Sequence, residues 1–101
     1  SEDCIHTLEN RLILSFTGIS HFSGVTNWGM LRNYIENTGG TRAALGEINR
    51  TAHAMAQALL DADFDAFARV LAHEWDNRRG MAEGVSTPAI EAMMEAARRA
   101  G

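Results

Sequence analysis

The chain has 101 residues, enough for one small domain and too few for two, so residues 1–101 are treated as a single domain. Hydrophobic residues make up 46% and charged residues 22%, a composition that argues against disorder, and no apolar run is long enough to cross a bilayer. The net charge is −4 and all nine basic residues are arginines, so no basic face suggests a nucleic-acid partner. A single cysteine, Cys4, excludes an internal disulfide, and with no signal-peptide pattern the sequence predicts a cytoplasmic protein.

Residues 11–16 are predicted to form one β-strand because their apolar side chains alternate. These side chains fall on both faces of the strand, which indicates burial between layers: Leu12, Leu14 and Phe16 on one face, Ile13 on the other. A lone strand is not a sheet, since its backbone N–H and C=O groups need partners. Either residues 1–8 pair with it or the partner strands lie outside this chain, and we favour the second.

Four helices are predicted after the strand. The first carries apolar residues at i, i+3 and i+7 and stops at residues 37–40, and the second has the longest apolar stripe, over residues 45–59. The third follows Asp63 as its N-cap, and the fourth begins with Thr87 as N-cap and Pro88 in the first helical position. The expected fold is therefore mainly α, with one strand followed by about four helices.

The usual catalytic and metal-binding signatures do not occur in this sequence. His73 and Glu74 begin like an HExxH zinc motif, but position 77 is asparagine, and the histidines lack metal-ligand spacing. No catalytic residue and no metal ligand is therefore assigned to the chain.

Three segments carry groups that suit an anion, and each also has a purely structural explanation that is favoured when it is taken alone. The loop at residues 17–24 has hydroxyls and glycines that either aim N–H groups at a phosphate or cap the next helix. Arg78, close to Trp75, either binds a phosphate through two hydrogen bonds or extends to solvent or pairs with an acid such as Asp76 or Glu74. Residues 84–88 place hydroxyls at a helix N-terminus, for an anion or for capping.

Taken together and in this order, the three segments resemble GHMP kinases. They read Thr17-Gly18-x-Ser20-x-x-Ser23-Gly24, His73-Glu74-Trp75-x-x-Arg78-Arg79 and Gly84-Val85-Ser86-Thr87-Pro88-x-Ile90-Glu91. The similarity runs from about Asn10 to Gly101 and is closest to the sugar-phosphate branch, of the D-glycero-D-manno-heptose 7-phosphate kinase type.

The resemblance implies that the chain is an internal segment of the C-terminal domain, whose α+β, ferredoxin-like fold is incomplete here. It implies that the intact enzyme transfers a phosphoryl group from ATP, with Mg²⁺, to a hydroxyl of a sugar or sugar phosphate. The nucleotide-binding loop and the catalytic aspartate belong to the N-terminal domain and are missing from this sequence, so the chain alone is expected to be inactive and to bind no cofactor. The implied substrate contacts, with Ser86 as a cap near the cleft, are Ser20, His21, Ser23 and Arg78.

His21 departs from the pattern, because related sequences usually carry arginine there. A histidine is a weaker and pH-dependent partner for an anion, so the identity of the acceptor stays open.

A function of another class remains the alternative: a small helical interaction or regulatory module without catalysis. The acidic balance, the unpaired strand and the methionines Met81, Met93 and Met94 would suit partner binding. The exposed strand also predicts self-association, as a dimer that pairs strands. Neither nucleic acid nor a membrane is expected as a partner.

Overall fold

The computed structural model describes residues 1–20 and 23–101, and in those residues it has five α-helices and no strand. The mainly α part of the predicted fold is confirmed, and each of the four predicted helices is present. No helix in the described part combines the length and apolarity needed to cross a membrane. In chain order the helices are α1 (Glu2–Glu9), α2 (Ser23–Glu36), α3 (Thr41–Leu60), α4 (Phe64–Arg78) and α5 (Pro88–Ala100).

The predicted strand at residues 11–16 is wrong for this structure. Arg11 is in a turn that follows α1, and residues 12–17 are neither helix nor strand. Ile13 is 92% exposed and Leu14 is fully exposed, so the expected burial between layers is also wrong. The physical reason is the missing ladder partner: residues 2–9 form α1, so no neighbouring segment offers a second strand to satisfy the backbone.

Helices α2 and α3 both end in a Schellman motif, in which the chain turns through one residue in the left-handed region. Asn37 (φ 53°) closes α2, where Thr38 N–H donates to Asn33 C=O at 2.9 Å. Ala62 (φ 53°) closes α3, where Asp63 N–H donates to Ala58 C=O at 2.9 Å. The first of these confirms the predicted helix stop after residue 36.

Helices α3 and α4 form a hairpin, and most contacts between helices of the described residues join these two. The turn between them is short because Asp63, the predicted N-cap, starts α4 at once: its Oδ1 accepts from Ala66 N–H at 2.8 Å. On α3, Thr51 and Ala58 are seven residues apart, lie on one face and are both buried. Thr51 tolerates burial because its hydroxyl donates to Ile48 C=O at 2.8 Å.

The backbone carbonyl of Met81 joins three parts of the fold. Asn33 Nδ2 on α2 donates to it at 2.9 Å, and Thr41 Oγ1 at the start of α3 donates to it at 3.2 Å. Met81 itself lies just after α4 and is 2% exposed, and Thr41 is 1% exposed. Because a buried carbonyl is costly without a donor, these two bonds fix α2 and α3 to the end of α4.

Arg42 strengthens the same corner by covering the C-terminus of α2. Its Nε donates to Tyr34 C=O at 2.7 Å and its Nη2 donates to Ile35 C=O at 3.1 Å, while the guanidinium lies over the Tyr34 ring at 5.2 Å from the centroid. A cation at this end of a helix also offsets the partial negative charge of the helix dipole. Arg42 therefore holds α2 against the first turn of α3.

Helix α5 starts as predicted. Thr87 is its N-cap, with Oγ1 accepting from Ile90 N–H at 3.3 Å, and Pro88 stands in the first turn, where no N–H is needed. An exposed ion pair from Arg98 Nη2 to Asp76 Oδ1, 2.9 Å long, ties the far end of α5 back to α4.

Replacing Thr41 with valine keeps the side-chain shape and removes one donor from the Met81 carbonyl. We expect Thr41→Val to lower the free energy of unfolding by about 1 kcal/mol, measured by urea denaturation followed by circular dichroism. Thr7→Val is the matched control, because Thr7 Oγ1 donates to Asp3 C=O within its own exposed helix. Equal effects of the two substitutions would contradict the role given to the junction.

Candidate functional site

Arg78, a predicted substrate contact, lies at the end of α4 beside an apolar groove of about 310 Å³. The groove is formed where α2, α3 and the segment after α4 meet, and its other lining residues are Met30, Leu31, Tyr34, Leu45 and Met81. Arg78 Nε donates to Glu74 Oε1 at 2.6 Å, and Arg78 Nη2 contacts the same carboxylate oxygen. The nearby acid therefore balances the positive charge of Arg78 inside its own helix.

Ser86, the predicted cap near the cleft, donates its hydroxyl to Glu91 Oε1 at 2.6 Å. The second oxygen of Glu91 accepts from Arg79 Nη1 at 2.8 Å. The hydrogen bond from Ser86 holds the pKa of Glu91 below its ordinary value, and the charge of Arg79 acts in the same direction. Glu91 thus fastens the segment before α5 to the end of α4.

Asp76 extends this arrangement into a line of alternating charges. Its Oδ1 is 3.7 Å from Arg79 Nε and 2.9 Å from Arg98 Nη2. The two acids and two arginines of this network, Asp76, Glu91, Arg79 and Arg98, carry no net charge together. An anion would have to compete with the carboxylates for these guanidinium groups.

The remaining predicted contacts lie before and at the start of α2. Ser20 is exposed and outside regular structure, and Ser23 is the first residue of α2 and exposed. His21 lies outside the described residues. Within the loop, Thr17 Oγ1 donates to Ile19 C=O at 3.4 Å, which uses one of the hydroxyls locally.

The first turns of α2 pack against the segment between α4 and α5. Thr26 is buried, and a Cβ on Gly84 would stand 3.6 Å from its Oγ1; a Cβ on Gly29 would stand 3.4 Å from Ala82 Cβ. Gly84 has φ +84°, so glycine alone adopts this backbone without strain where the two segments touch. This contact joins the segment that follows residues 17–24 to the segment at residues 84–88.

Two of the three segments singled out in the sequence are therefore joined directly, and within the described residues the first is connected to them only through Thr26 on the helix that follows it. Residues 84–88 contact α2 through Gly84, and they contact the end of α4 through the Ser86–Glu91–Arg79 bonds. The described residues give no direct contact between the hydroxyls of Ser20 or Ser23 and the Arg78 guanidinium.

Sequence reasoning assigned no role to Glu91 and offered Asp76 only as one of two acids that could pair with Arg78, a pairing that Glu74 makes instead. The partners that tie them to a distant segment, Arg79 for Glu91 and Arg98 for Asp76, are 12 and 22 residues away, so local spacing does not predict these two pairs. The only available signal was an acid in the first turn of α5, a place where acids also stabilise helices. Trp75 adds a further feature that was not foreseen, because its buried indole Nε1 has no hydrogen-bond partner among the described residues.

The described residues offer no cluster of three or more His, Cys, Asp or Glu side chains that would hold a metal ion. Comparison with known proteins gives no match to a family model, a curated protein or a solved structure.

The Glu91 network contributes to the stability of the fold in a pH-dependent way, and the direction follows from the lowered pKa of Glu91. A carboxyl with a lower pKa in the folded state stabilises the fold above its ordinary pKa, and this contribution is lost as pH falls through the folded pKa. We expect Ser86→Ala to move the pKa of Glu91 upward, toward the ordinary value, in a carboxyl ¹³C NMR titration. Ser23→Ala, at an exposed serine outside the network, should leave it in place; an unchanged pKa in Ser86→Ala would refute the assigned cause.

Proposed function

We propose that the chain is the helical part of the C-terminal domain of an ATP-dependent kinase of the GHMP superfamily, one that phosphorylates a sugar or a sugar phosphate. The observation that supports this proposal is that residues 73–79 are joined to residues 84–91 through Arg79 and Glu91, and that Gly84 packs against Thr26 on α2, the helix that follows residues 17–24. Residues 17–24 lead into α2, residues 73–79 end α4, and residues 84–91 enter α5, and the packing of α2 and Glu91 brings these elements together.

A second observation concerns apolar surface that the described residues leave uncovered. Leu14 and Phe16 extend into solvent, and on α2 Trp28 is 69% exposed and Ile35 is 65% exposed. Trp28 and Ile35 are seven residues apart and lie on one face of α2, and exposed apolar residues on one helix face are typical of a surface that packs against other structure. In the proposed kinase, residues 11–16 become a strand of the ferredoxin-like sheet once partner strands are present, and the exposed face of α2 is covered within the domain.

The proposed substrate contacts divide into two kinds. The first kind comprises Ser20 and His21, which precede α2 in sequence, and Ser23, its first residue; these three are proposed to contact the acceptor. Arg78, tied to Glu74, presents its remaining donors beside the groove where α2, α3 and α4 meet. Ser86 acts indirectly, because its bond to Glu91 fixes the segment that packs on α2.

ATP and Mg²⁺ are proposed to bind elsewhere in the intact enzyme, where they supply and neutralise the transferred phosphoryl group. The residues described here do not suit them: the sequence has no lysine, Asp76 and Glu91 are paired with arginines, and the described residues hold no cluster of three or more metal-binding side chains. The contribution of this chain is to bind and orient the acceptor.

The isolated chain is expected to show no ATP-dependent phosphorylation of sugars or of D-glycero-D-manno-heptose 7-phosphate, because it lacks the nucleotide loop and the base. The endogenous protein that contains these residues is expected to be much longer and to release ADP when it is given an acceptor from this class. Intact mass and a coupled ADP assay measure both. A native product of 101 residues, or an inactive longer product, would refute the kinase proposal.

In that intact protein, Arg78→Gln should raise the KM for the acceptor about tenfold while the KM for ATP changes little, as expected for the loss of one charged hydrogen bond. Arg99→Gln is the matched control, since Arg99 pairs with Glu95 on the exposed side of α5 at 3.7 Å. Equal KM values for the two variants would remove Arg78 from the acceptor site.

The alternative, an interaction module without catalysis, draws on the same exposed apolar residues. It includes the proposed homodimer of the chain through residues 11–16. The intact mass of the native protein separates the two functions. An interaction module needs no kinase motifs, whereas the kinase requires a longer chain that carries them.

We expect the isolated chain to self-associate, since Leu12, Ile13, Leu14 and Phe16 are exposed apolar residues outside any helix or strand. Leu14→Asp should shift sedimentation velocity profiles toward monomer. Leu60→Asp, at an exposed leucine at the end of α3, is the control and should not. A wild-type chain that stays monomeric at high concentration would contradict this expectation.

A further inference from the structure

Helix α1 and the turn that follows it, residues 2–12, form a strap that lies against the start of α4. No residue of α1 is buried, and Ile5 is 59% exposed. The strap makes few contacts with the other helices, whereas the α3–α4 hairpin makes most of the contacts between helices of the described residues. We propose that the strap is a detachable element, which opens and closes while the α3–α4 hairpin stays folded.

The polar contacts that attach the strap are individually weak. Cys4 Sγ is 3.6 Å from Leu59 C=O, and a thiol is a poor hydrogen-bond donor. Arg11 Nη1 is 3.9 Å from Asp65 Oδ1, and both side chains are more than half exposed, so solvent screens this ion pair. The Arg11 guanidinium also lies 5.1 Å from the centroid of the Phe64 ring, a contact that contributes little at an exposed position.

The strap partly covers an apolar stripe on α4. A groove of about 270 Å³ lies between the two and is lined by Leu8 and Leu12 of the strap and by Phe64, Phe67 and Leu71 of α4. These three residues of α4 fall at i, i+3 and i+7, so they share one face of the helix. Opening the strap therefore exposes apolar side chains that the closed form shields from water.

The bonds that fix the rest of the fold lie outside the strap. The Met81 carbonyl accepts from α2 and α3, and Glu91 and Asp76 join the end of α4 to α5 and the segment before it. Opening the strap breaks none of these bonds. It is also separate from the proposed acceptor site, because Arg78 lies at the opposite end of α4.

Helix α1 is too short to persist once it leaves α4. Isolated helices shorter than about 12–15 residues are marginal in water, and α1 has eight residues. Its local support is the Ser1 cap, whose hydroxyl accepts from Cys4 N–H at 3.2 Å, and the Thr7 hydroxyl, which donates to Asp3 C=O. The open strap therefore loses its helix and regains conformational entropy, which favours opening. The strap has two states, one docked and helical and the other open and unfolded.

Native-state hydrogen exchange of the full 101-residue chain, followed by NMR, tests whether the strap opens by itself. We expect the hydrogen-bonded amides of α1 to exchange roughly a hundredfold faster than the slowest amides of α3 and α4, yet slower than in an unstructured peptide. Low urea concentrations should speed exchange in the hairpin and leave α1 nearly unchanged, because a local opening exposes little surface. One exchange rate and one urea dependence for both would overturn the proposal, as would α1 amides that exchange as fast as an unstructured peptide.

Cys4 gives a second readout, because its half-buried thiol becomes accessible when the strap opens. Its rate of labelling by an aromatic disulfide reagent is divided by the rate for the same variant unfolded in urea. Leu8→Ala removes apolar contact with α4, so Cys4 labelling and α1 exchange should both rise about tenfold while exchange in α3 and α4 is unchanged.

Ile5→Ala is the matched control, because Ile5 is an exposed apolar residue of the same helix that does not line the groove. It should raise neither the labelling rate nor the exchange rate of α1. Equal effects of Leu8→Ala and Ile5→Ala would refute the proposed docking of the strap. Faster exchange throughout the chain in Leu8→Ala would refute its independence from the hairpin.

Discussion

The fold depends on one backbone carbonyl, that of Met81, which accepts from Asn33 and from Thr41. The α3–α4 hairpin is stabilised by contacts between helices adjacent in sequence, whereas α2 is held against it largely by the bond to the Met81 carbonyl. Burying that carbonyl without a donor would cost more free energy than either hydrogen bond contributes to stability. Arg42 covers the end of α2 at the same corner, and Gly84 lets the next segment approach Thr26.

Electrostatics in this chain consists mainly of short-range pairing between arginines and carboxylates. At the end of α4 the pairing joins elements: Glu91 connects Arg79 to Ser86, and Asp76 connects Arg79 to Arg98. These groups give the site its geometry, so the substrate chemistry proposed for the intact enzyme falls to the loop before α2 and to Arg78.

Local sequence signals predicted the helices well. Asp63, Thr87 and Pro88 act where capping chemistry places them, and the stop after α2 follows from residues that accept a left-handed turn. Helix α1 was missed because eight residues give too short an apolar pattern to read. The prediction of a strand at residues 11–16 was wrong because alternating apolar residues indicate only which side chains favour burial. A strand forms only when a neighbouring strand pairs with its backbone. The substrate contacts stay a prediction, and the bonds from Glu91 to Arg79 and from Asp76 to Arg98 could not be predicted from local spacing because they link residues on different helices or beyond a helix end.

The hydrogen bonds to the Met81 carbonyl also bear on the order in which the chain folds. Contacts across the α3–α4 turn close a short loop, while the bonds to Met81 link residues 40 and 48 positions away. Loop closure favours local pairing, so we expect the hairpin to form first and the Met81 corner to close after the main kinetic barrier. Interactions made that late govern how slowly the native chain opens and have little influence on how fast it forms. The lifetime of the native state, more than its rate of assembly, would then be set by a single peptide group.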